Sequence, residues 1–319
     1  MTRSFDPEFD ILYADEVARA GDDPRRLRRH YASGHLIRIR RGAYVVTPLW
    51  EAADERQRHI ARVLAAAHDA VRPYVAAGIS AAAVWDAPVF IPFGAVVEIV
   101  DGYRGGGRSE PGVRRATAAA EFAYPVRRMG IDVTDVARTA IDLATRSTFP
   151  AALAAMDWAI SAANPDATSV AVVRDRLREM GARPGARTAW RAAESAVSNS
   201  GSGGESFGRG VIHDLGFVDP VTQLELRDAE GAMYADYAWP DVKVLVEFDG
   251  FVKYRDPRFN HGDPLEKLRR EREREARLRA LGWTVVRITW ADLQDPPRLA
   301  RLLATVGVPR RQLWVRREK

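Results

Sequence analysis

At 319 residues the chain is long enough for about two or three domains, its apolar content is ordinary for a soluble protein, and no stretch approaches the roughly 18 uninterrupted apolar residues of a membrane span. It contains no cysteine, which excludes disulfides and thiolate metal sites, and its six histidines show no HxxxH spacing, so a zinc centre is not expected. The net charge of +5 understates local clustering, because residues 267–279 carry seven Lys or Arg and the stretch after Pro309 carries five more. Clustered arginine suits phosphate contacts, since the guanidinium fork binds oxygens bidentately.

The opening MTRSFDPEFD is polar and acidic and lacks the apolar core of a signal peptide, so a cytoplasmic protein is expected. Ile11–Ala20 carries a helical pattern, Asp23-Pro24 opens a second helix through about Ala32, and Gly34 ends it. GHLIRIRRGAYVV then alternates, turns at Arg-Gly and alternates again, as two paired strands do. Helix, helix and two-stranded wing is the winged-helix order. On that reading Arg25, Arg28 and Arg29 lie on a groove-facing helix, and Arg38, Arg40 and Arg41 lie on a phosphate-binding wing. A small α/β cap with a solvated basic face is the alternative.

This segment resembles the N-terminal domain of the AbiEi-type antitoxins of type IV toxin–antitoxin systems. The resemblance is carried by LYADEVARAG, by Leu27–His35 and by IRIRRGAYVV. It implies winged-helix DNA binding, autoregulation and a toxin partner.

Residues 56–195 read as a mixed α/β middle region. Arg56–Arg72 is an Ala-rich helix and Ala95–Val100 a strand. YRGGGRSEPG lacks the Lys-Ser/Thr of a phosphate loop and reads as a hairpin connection. IDVTDVARTAIDLATR is similar to a segment of the same antitoxin-related proteins, in which Thr134 would cap a helix and Asp135, Arg138 and Asp142 could form salt bridges. Nothing in this region points to catalysis. VSNSGSGGE, 197–205, is a Ser/Gly-rich linker.

From Glu205 onward the pattern is helix, three strands, charged helix, strand, helix. In YADYAWPDVKVLVEFDG the midpoint between Asp236 and Glu247 falls in the Pro240–Lys243 turn, so a hairpin sets these two carboxylates side by side. Val244, Val246 and Phe248 alternate with Leu245, Glu247 and Asp249, which puts Glu247 and Asp249 on one face. Converging carboxylates repel, and a hard divalent cation with oxygen ligands is the usual compensation. Arg287, which interrupts the apolar strand VVRIT, could neutralise them or hold a phosphate.

This last third of the chain resembles the PD-(D/E)XK nuclease superfamily, in the branch similar to very-short-patch repair endonucleases. The matching elements are GESFGR, VTQLEL, YADYAWP, VLVEFDG and RLRALGWTVVRITWADL. The resemblance implies that Asp236, Glu247 and Glu205 ligate Mg²⁺, or Mn²⁺ in its place, and that Gln223 is a polar residue at the edge of the site. It implies phosphodiester cleavage. Where the family pattern has a lysine two residues after the acid, this chain has Asp249, so Lys253 or Lys267 is expected to reach the site instead.

The chain is therefore expected to be a multi-domain α/β protein: a winged helix at 1–55, an antitoxin-like middle domain at 56–196, a linker at 197–204 and a restriction-endonuclease-like mixed sheet flanked by helices at 205–319. The expected function is DNA binding joined to Mg²⁺-dependent cleavage, with no membrane association. A homodimer is one arrangement that would decide between nicking and double-strand cutting. The alternative is a transcriptional autoregulator or antitoxin whose nuclease-like domain is inactive.

Overall fold

The computed structural model describes residues 4–70, 75–101, 111–117, 123–250 and 264–311. The chain divides into two compact units, one comprising residues 1–146 with 171–184 and the other 147–170 with 185–319. The middle domain expected at 56–196 is thus shared between them.

The first unit begins with β1 (Leu12–Tyr13), α1 (Ala14–Arg19), α2 (Arg25–Ala32), β2 (Leu36–Arg40) and β3 (Ala43–Val46). The helix expected from Ile11 starts three residues later, because Leu12 and Tyr13 pair antiparallel with Tyr44 and Ala43. The resulting sheet has the order β1-β3-β2. Its turn runs through Gly42, whose φ of +78° is one that side-chain-bearing residues rarely adopt. Leu27 of α2 packs on Leu36 and Tyr44 and fixes the helix to the sheet.

The unit continues with α3 (Thr47–Ala52), α4 (Glu55–His68), β4 (Val75–Ala76), α5 (Gly78–Trp85), β5 (Val97–Asp101), β6 (Val113–Thr117), β7 (Pro125–Arg128), β8 (Ile131–Thr134) and α6 (Val136–Ala144). The five strands form a mixed sheet of order β6-β5-β4-β8-β7. β5 and β6 pair in parallel, so the connection expected to be a hairpin does not join antiparallel neighbours. Residues 102–110 of that connection lie outside the described residues. The N-cap of α6 is Asp135, which accepts from the Arg138 N–H, and not Thr134 as expected. Thr134 is the last residue of β8, and its hydroxyl bonds that of Thr139 at 2.8 Å. Arg138 and Asp142 form the expected pair at 2.9 Å, buried on both sides.

Next in the chain come α7 (Phe149–Ile160) and α9 (Ala186–Ser195), which belong to the second unit, with α8 (Val170–Met180) between them in the first. Then follow α10 (Gly203–Asp214), β9 (Val221–Asp228), β10 (Gly231–Trp239), β11 (Val244–Asp249), α11 (Pro264–Ala280), β12 (Thr284–Thr289), α12 (Trp290–Leu293) and α13 (Pro296–Thr305). The sheet order is β12-β11-β10-β9, antiparallel except for the parallel β11–β12 pair. One face, carrying Tyr237, Trp239, Val246 and Phe248, packs on residues of α10, α12 and α13. The other, carrying Met233, Ala235 and Leu245, packs on Leu278 of α11 and on Trp283.

The Ser/Gly stretch expected to be a linker is instead built into this unit. The Val197 N–H donates to Asp157 of α7 at 2.8 Å, and Ser202 caps α10. Asp157 and Arg209, both almost fully buried, bind at 2.8 Å and tie α7 to α10. A charge pair buried this deeply is stable only when each partner satisfies the other.

Candidate functional site

The β10–β11 ladder pairs Tyr237 with Val246, so its continuation sets Asp236 across from Glu247. The alternation of β10 slips at that residue: Met233 and Ala235 enter the α11-side core, whereas Tyr237 and Trp239 enter the opposite one. Directly beside it on β9, Gln223 adopts φ +51°, in the left-handed region. Such a conformation costs a glutamine roughly 1 kcal/mol or more and concentrates at functional positions. It aims the Gln223 amide between two carboxylates. Its Nε2 donates to Glu205 Oε2 at 2.8 Å and to Asp236 Oδ1 at 3.2 Å. Asp236 Oδ2 accepts from the Phe248 N–H at 2.9 Å.

Glu205 enters from the first turn of α10. Its carboxylate accepts from the Gly201 N–H and from the Ser202 hydroxyl, each at 2.9 Å. Its carbonyl accepts from the Tyr237 hydroxyl at 2.6 Å, locking the helix start to β10. Burial, and then the Asp236 charge, raise the Glu205 carboxyl above the ordinary carboxylate range. Glu247 is also raised, by burial first, with Arg274 pulling it back and Asp236 and Glu271 adding to the rise.

The donors are carboxylate oxygens, the type a hard divalent cation takes. Glu247 Oε1 is buried with no hydrogen-bond partner among the described residues. That oxygen belongs to the residue set across the hairpin from Asp236, and the two carboxylates fit a cation held by Asp236 and Glu247. Glu205 stands behind the Gln223 amide, and among the described residues no group of three or more His, Asp or Glu is spaced to share one ion. Asp249 ends β11, half-buried, at the position opposite Thr289. Lys253 lies outside the described residues, and Lys267 is described only as a backbone position of α11.

Arg287, opposite Glu247 in the β11–β12 register, turns its guanidinium to Glu271 at 2.7 Å and Glu275 at 3.4 Å. It is therefore engaged with α11 and not directly with the site carboxylates. Arg274 belongs to the charged helix and stands outside the residues expected at the site. The structure brings it onto Glu247 Oε2 and, at 3.1 Å, onto the Tyr234 carbonyl. Its signal was available, because Arg274 lies one helical turn before the buried Leu278 and so shares the sheet-facing stripe. Trp283 is buried, at 8% exposed, and the half-buried Trp290 packs edge-on against Phe248 at 5.2 Å.

In the first unit Arg25, Arg28, Arg29, Arg38 and Arg41 are exposed on α2 and around the β2–β3 turn. Arg25, Arg28 and Arg41 form no ion pair among the described residues, whereas Arg29 lies 3.6 Å from Asp23. Arg38 stacks over the Tyr31 ring at 5.3 Å. Arg40 differs: it is half-buried, with its Nε 3.4 Å from Asp69, and is held toward the protein.

Fold and sites together define a multi-domain α/β protein with a basic helix-and-wing element in one unit and a carboxylate-bearing mixed sheet in the other. Residues 9–47 match the family described as transcriptional regulator, AbiEi antitoxin. The chain is 33% identical over 177 residues to the uncharacterized proteins MT2308 and Rv2248 of two Mycobacterium tuberculosis strains, an overlap of 54% of this chain and 60% of each relative. It also resembles the crystal structure of the RV2827C protein from Mycobacterium tuberculosis, with TM-score 0.38, 16% identity and coverage of 62% of this chain and 75% of that one. No helix among the described residues is long and apolar enough to cross a membrane.

Proposed function

We propose that this chain binds DNA through its N-terminal basic element and hydrolyses a phosphodiester at the carboxylate site of its second unit. The observation that carries the cleavage reading is the buried, unpartnered Glu247 Oε1 across the hairpin from Asp236. Asp236 and Glu247 would hold Mg²⁺ or Mn²⁺, which supplies an activated water and charge relief for the leaving oxygen. Gln223 and the Phe248 N–H hold Asp236 in one rotamer. Glu205 fixes Gln223 from behind. The exposed Arg25, Arg28, Arg38 and Arg41 supply sequence-independent phosphate contacts, and the face of α2 is the element suited to the major groove.

A second reading is favoured by three observations: the regulator match of residues 9–47, Asp249 where a lysine is expected, and Arg274 already neutralising Glu247. On that reading the protein is an operator-binding regulator or antitoxin, acting with a toxin partner, and its second unit does not cleave. Incubation with supercoiled, linear and single-stranded DNA, in Mg²⁺, Mn²⁺ or EDTA and with Glu247→Ala alongside, separates the two. Metal-dependent cleavage absent from the variant is the expected result. Salt-sensitive binding with no cleavage of any substrate favours the regulator.

A further inference from the structure

The arginine–carboxylate pairs of the second unit are not built alike. Arg209 binds both oxygens of Asp157 at 2.8 Å, and Arg277 binds both oxygens of Asp228. These pairs leave no carboxylate oxygen idle, as an ion pair that serves packing should. Arg274 takes only Oε2 of Glu247, although its guanidinium has donors to spare. A second nitrogen of that guanidinium is fixed on the Tyr234 carbonyl of β10 at 3.1 Å, two residues before Asp236. The guanidinium thus spans the two strands that carry the acidic pair, and Oε1 stays buried without a partner among the described residues.

We propose that Arg274 is a positioning residue of the carboxylate site. It holds Glu247 by Oε2 so that Oε1 is presented to a divalent cation, and it is the fixed positive charge that position 249 lacks in this chain. Arg274 comes from α11, not from β11, so the charge is supplied across the sheet face by the helix that packs on Leu245 and Trp283. A planar fork can serve two acceptors in fixed geometry, which a single ammonium does less rigidly. The inference rests on reading the second unit as a metal site.

The test is calorimetric titration of the full chain with Mn²⁺, comparing wild type, Arg274→Gln, Arg274→Lys and Glu247→Gln, with thermal unfolding recorded without metal. Glu247→Gln is expected to lose Mn²⁺ binding. Arg274→Gln is expected to bind about tenfold or more weakly while still unfolding cooperatively, and Arg274→Lys, which keeps the charge but not the fork, to recover part of that loss. Mn²⁺ bound by Arg274→Gln as tightly as by wild type, with Glu247→Gln silent, overturns the positioning role alone. A folded Arg274→Lys that binds no better than Arg274→Gln also overturns it, and is decisive should the Gln variant fail to fold. Equal Mn²⁺ binding by wild type and Glu247→Gln overturns the metal site itself, and this inference with it.

Discussion

Asp236 is the residue on which the second unit's chemistry and its stability pull in opposite directions. Burial first, and the Asp236 charge in addition, raise both Glu205 and Glu247, so the folded state holds protons on these groups more tightly than the unfolded chain does. For carboxyls shifted upward, stability is greatest below the unfolded carboxylate value of about 4.3 and declines as pH rises through the folded values. Asp236→Asn keeps an acceptor for the Phe248 N–H and removes the repulsion. It is expected to raise the unfolding midpoint at neutral pH, to have little such effect near pH 4, and to abolish metal-dependent cleavage. A variant less stable than wild type at neutral pH would show that Asp236 contributes more through its hydrogen bonds than it costs through charge. The acidic pair itself was legible from the hairpin arithmetic around Pro240–Lys243. The left-handed Gln223 and the slip of alternation at Asp236 were not, because a two-residue period read along one strand carries no sign of a coordinated irregularity in its neighbour.

Two elements decide whether the sites exist. Helix α10 carries four glycines, and at three of them neighbours come close: a Cβ on Gly210 would meet the Pro150 backbone at 2.4 Å, one on Gly208 the Tyr237 hydroxyl at 2.5 Å, and one on Gly204 the Phe248 ring at 2.6 Å. Gly210→Ala is expected to destabilise the second unit by roughly 1–3 kcal/mol despite alanine's better helix propensity, read as a lowered denaturation midpoint with unchanged slope. The sequence pattern located α10 to within two residues at its start but treated the preceding Ser/Gly stretch as a tether. Composition marks such segments as breakers, whereas bonds such as those of Ser202 and Gly201 with Glu205, of Asn199 with Thr222 and of Val197 with Asp157 make this one structural. In the first unit α2 and the β2–β3 turn carry the basic face. Replacing Arg28, Arg38 and Arg41 by Gln is expected to weaken DNA binding and to reduce the slope of log affinity against log salt by roughly 0.9 for each phosphate that is no longer neutralised. Arg40→Gln is expected to change that slope least, since Arg40 is held by Asp69. An unchanged slope in the triple variant would remove this element from the DNA interface.

At the scale of the whole chain, local order was more legible than grouping. The strands of the four-stranded sheet, α10 and α11 followed from periodicity and turn residues, but the single helix expected after β12 is two, α12 and α13, and the unit extends back to α7 and α9. Helix α7 joins it through the buried Arg209–Asp157 pair, which spans 52 residues of sequence and leaves no periodic trace, and α9 through the Ser195 carbonyl, which accepts from Arg209 at 2.8 Å. The same limit explains Arg274: helix and strand meet through a hydrogen bond 27 residues apart in sequence, which composition reads as one more solvated charge. With the proposed DNA-binding element in one unit and the carboxylates in the other, substitutions at Asp236 or Glu247 are expected to spare salt-sensitive DNA binding while removing cleavage. The most direct measurement is therefore a paired one on a single preparation, following DNA binding and strand cleavage as Mn²⁺ is raised, for wild type and Glu247→Ala. Cleavage that appears with Mn²⁺ in wild type and is missing from a variant that still binds DNA is the outcome the account predicts. Cleavage undiminished in Glu247→Ala, or none in wild type across all substrate forms, would contradict it.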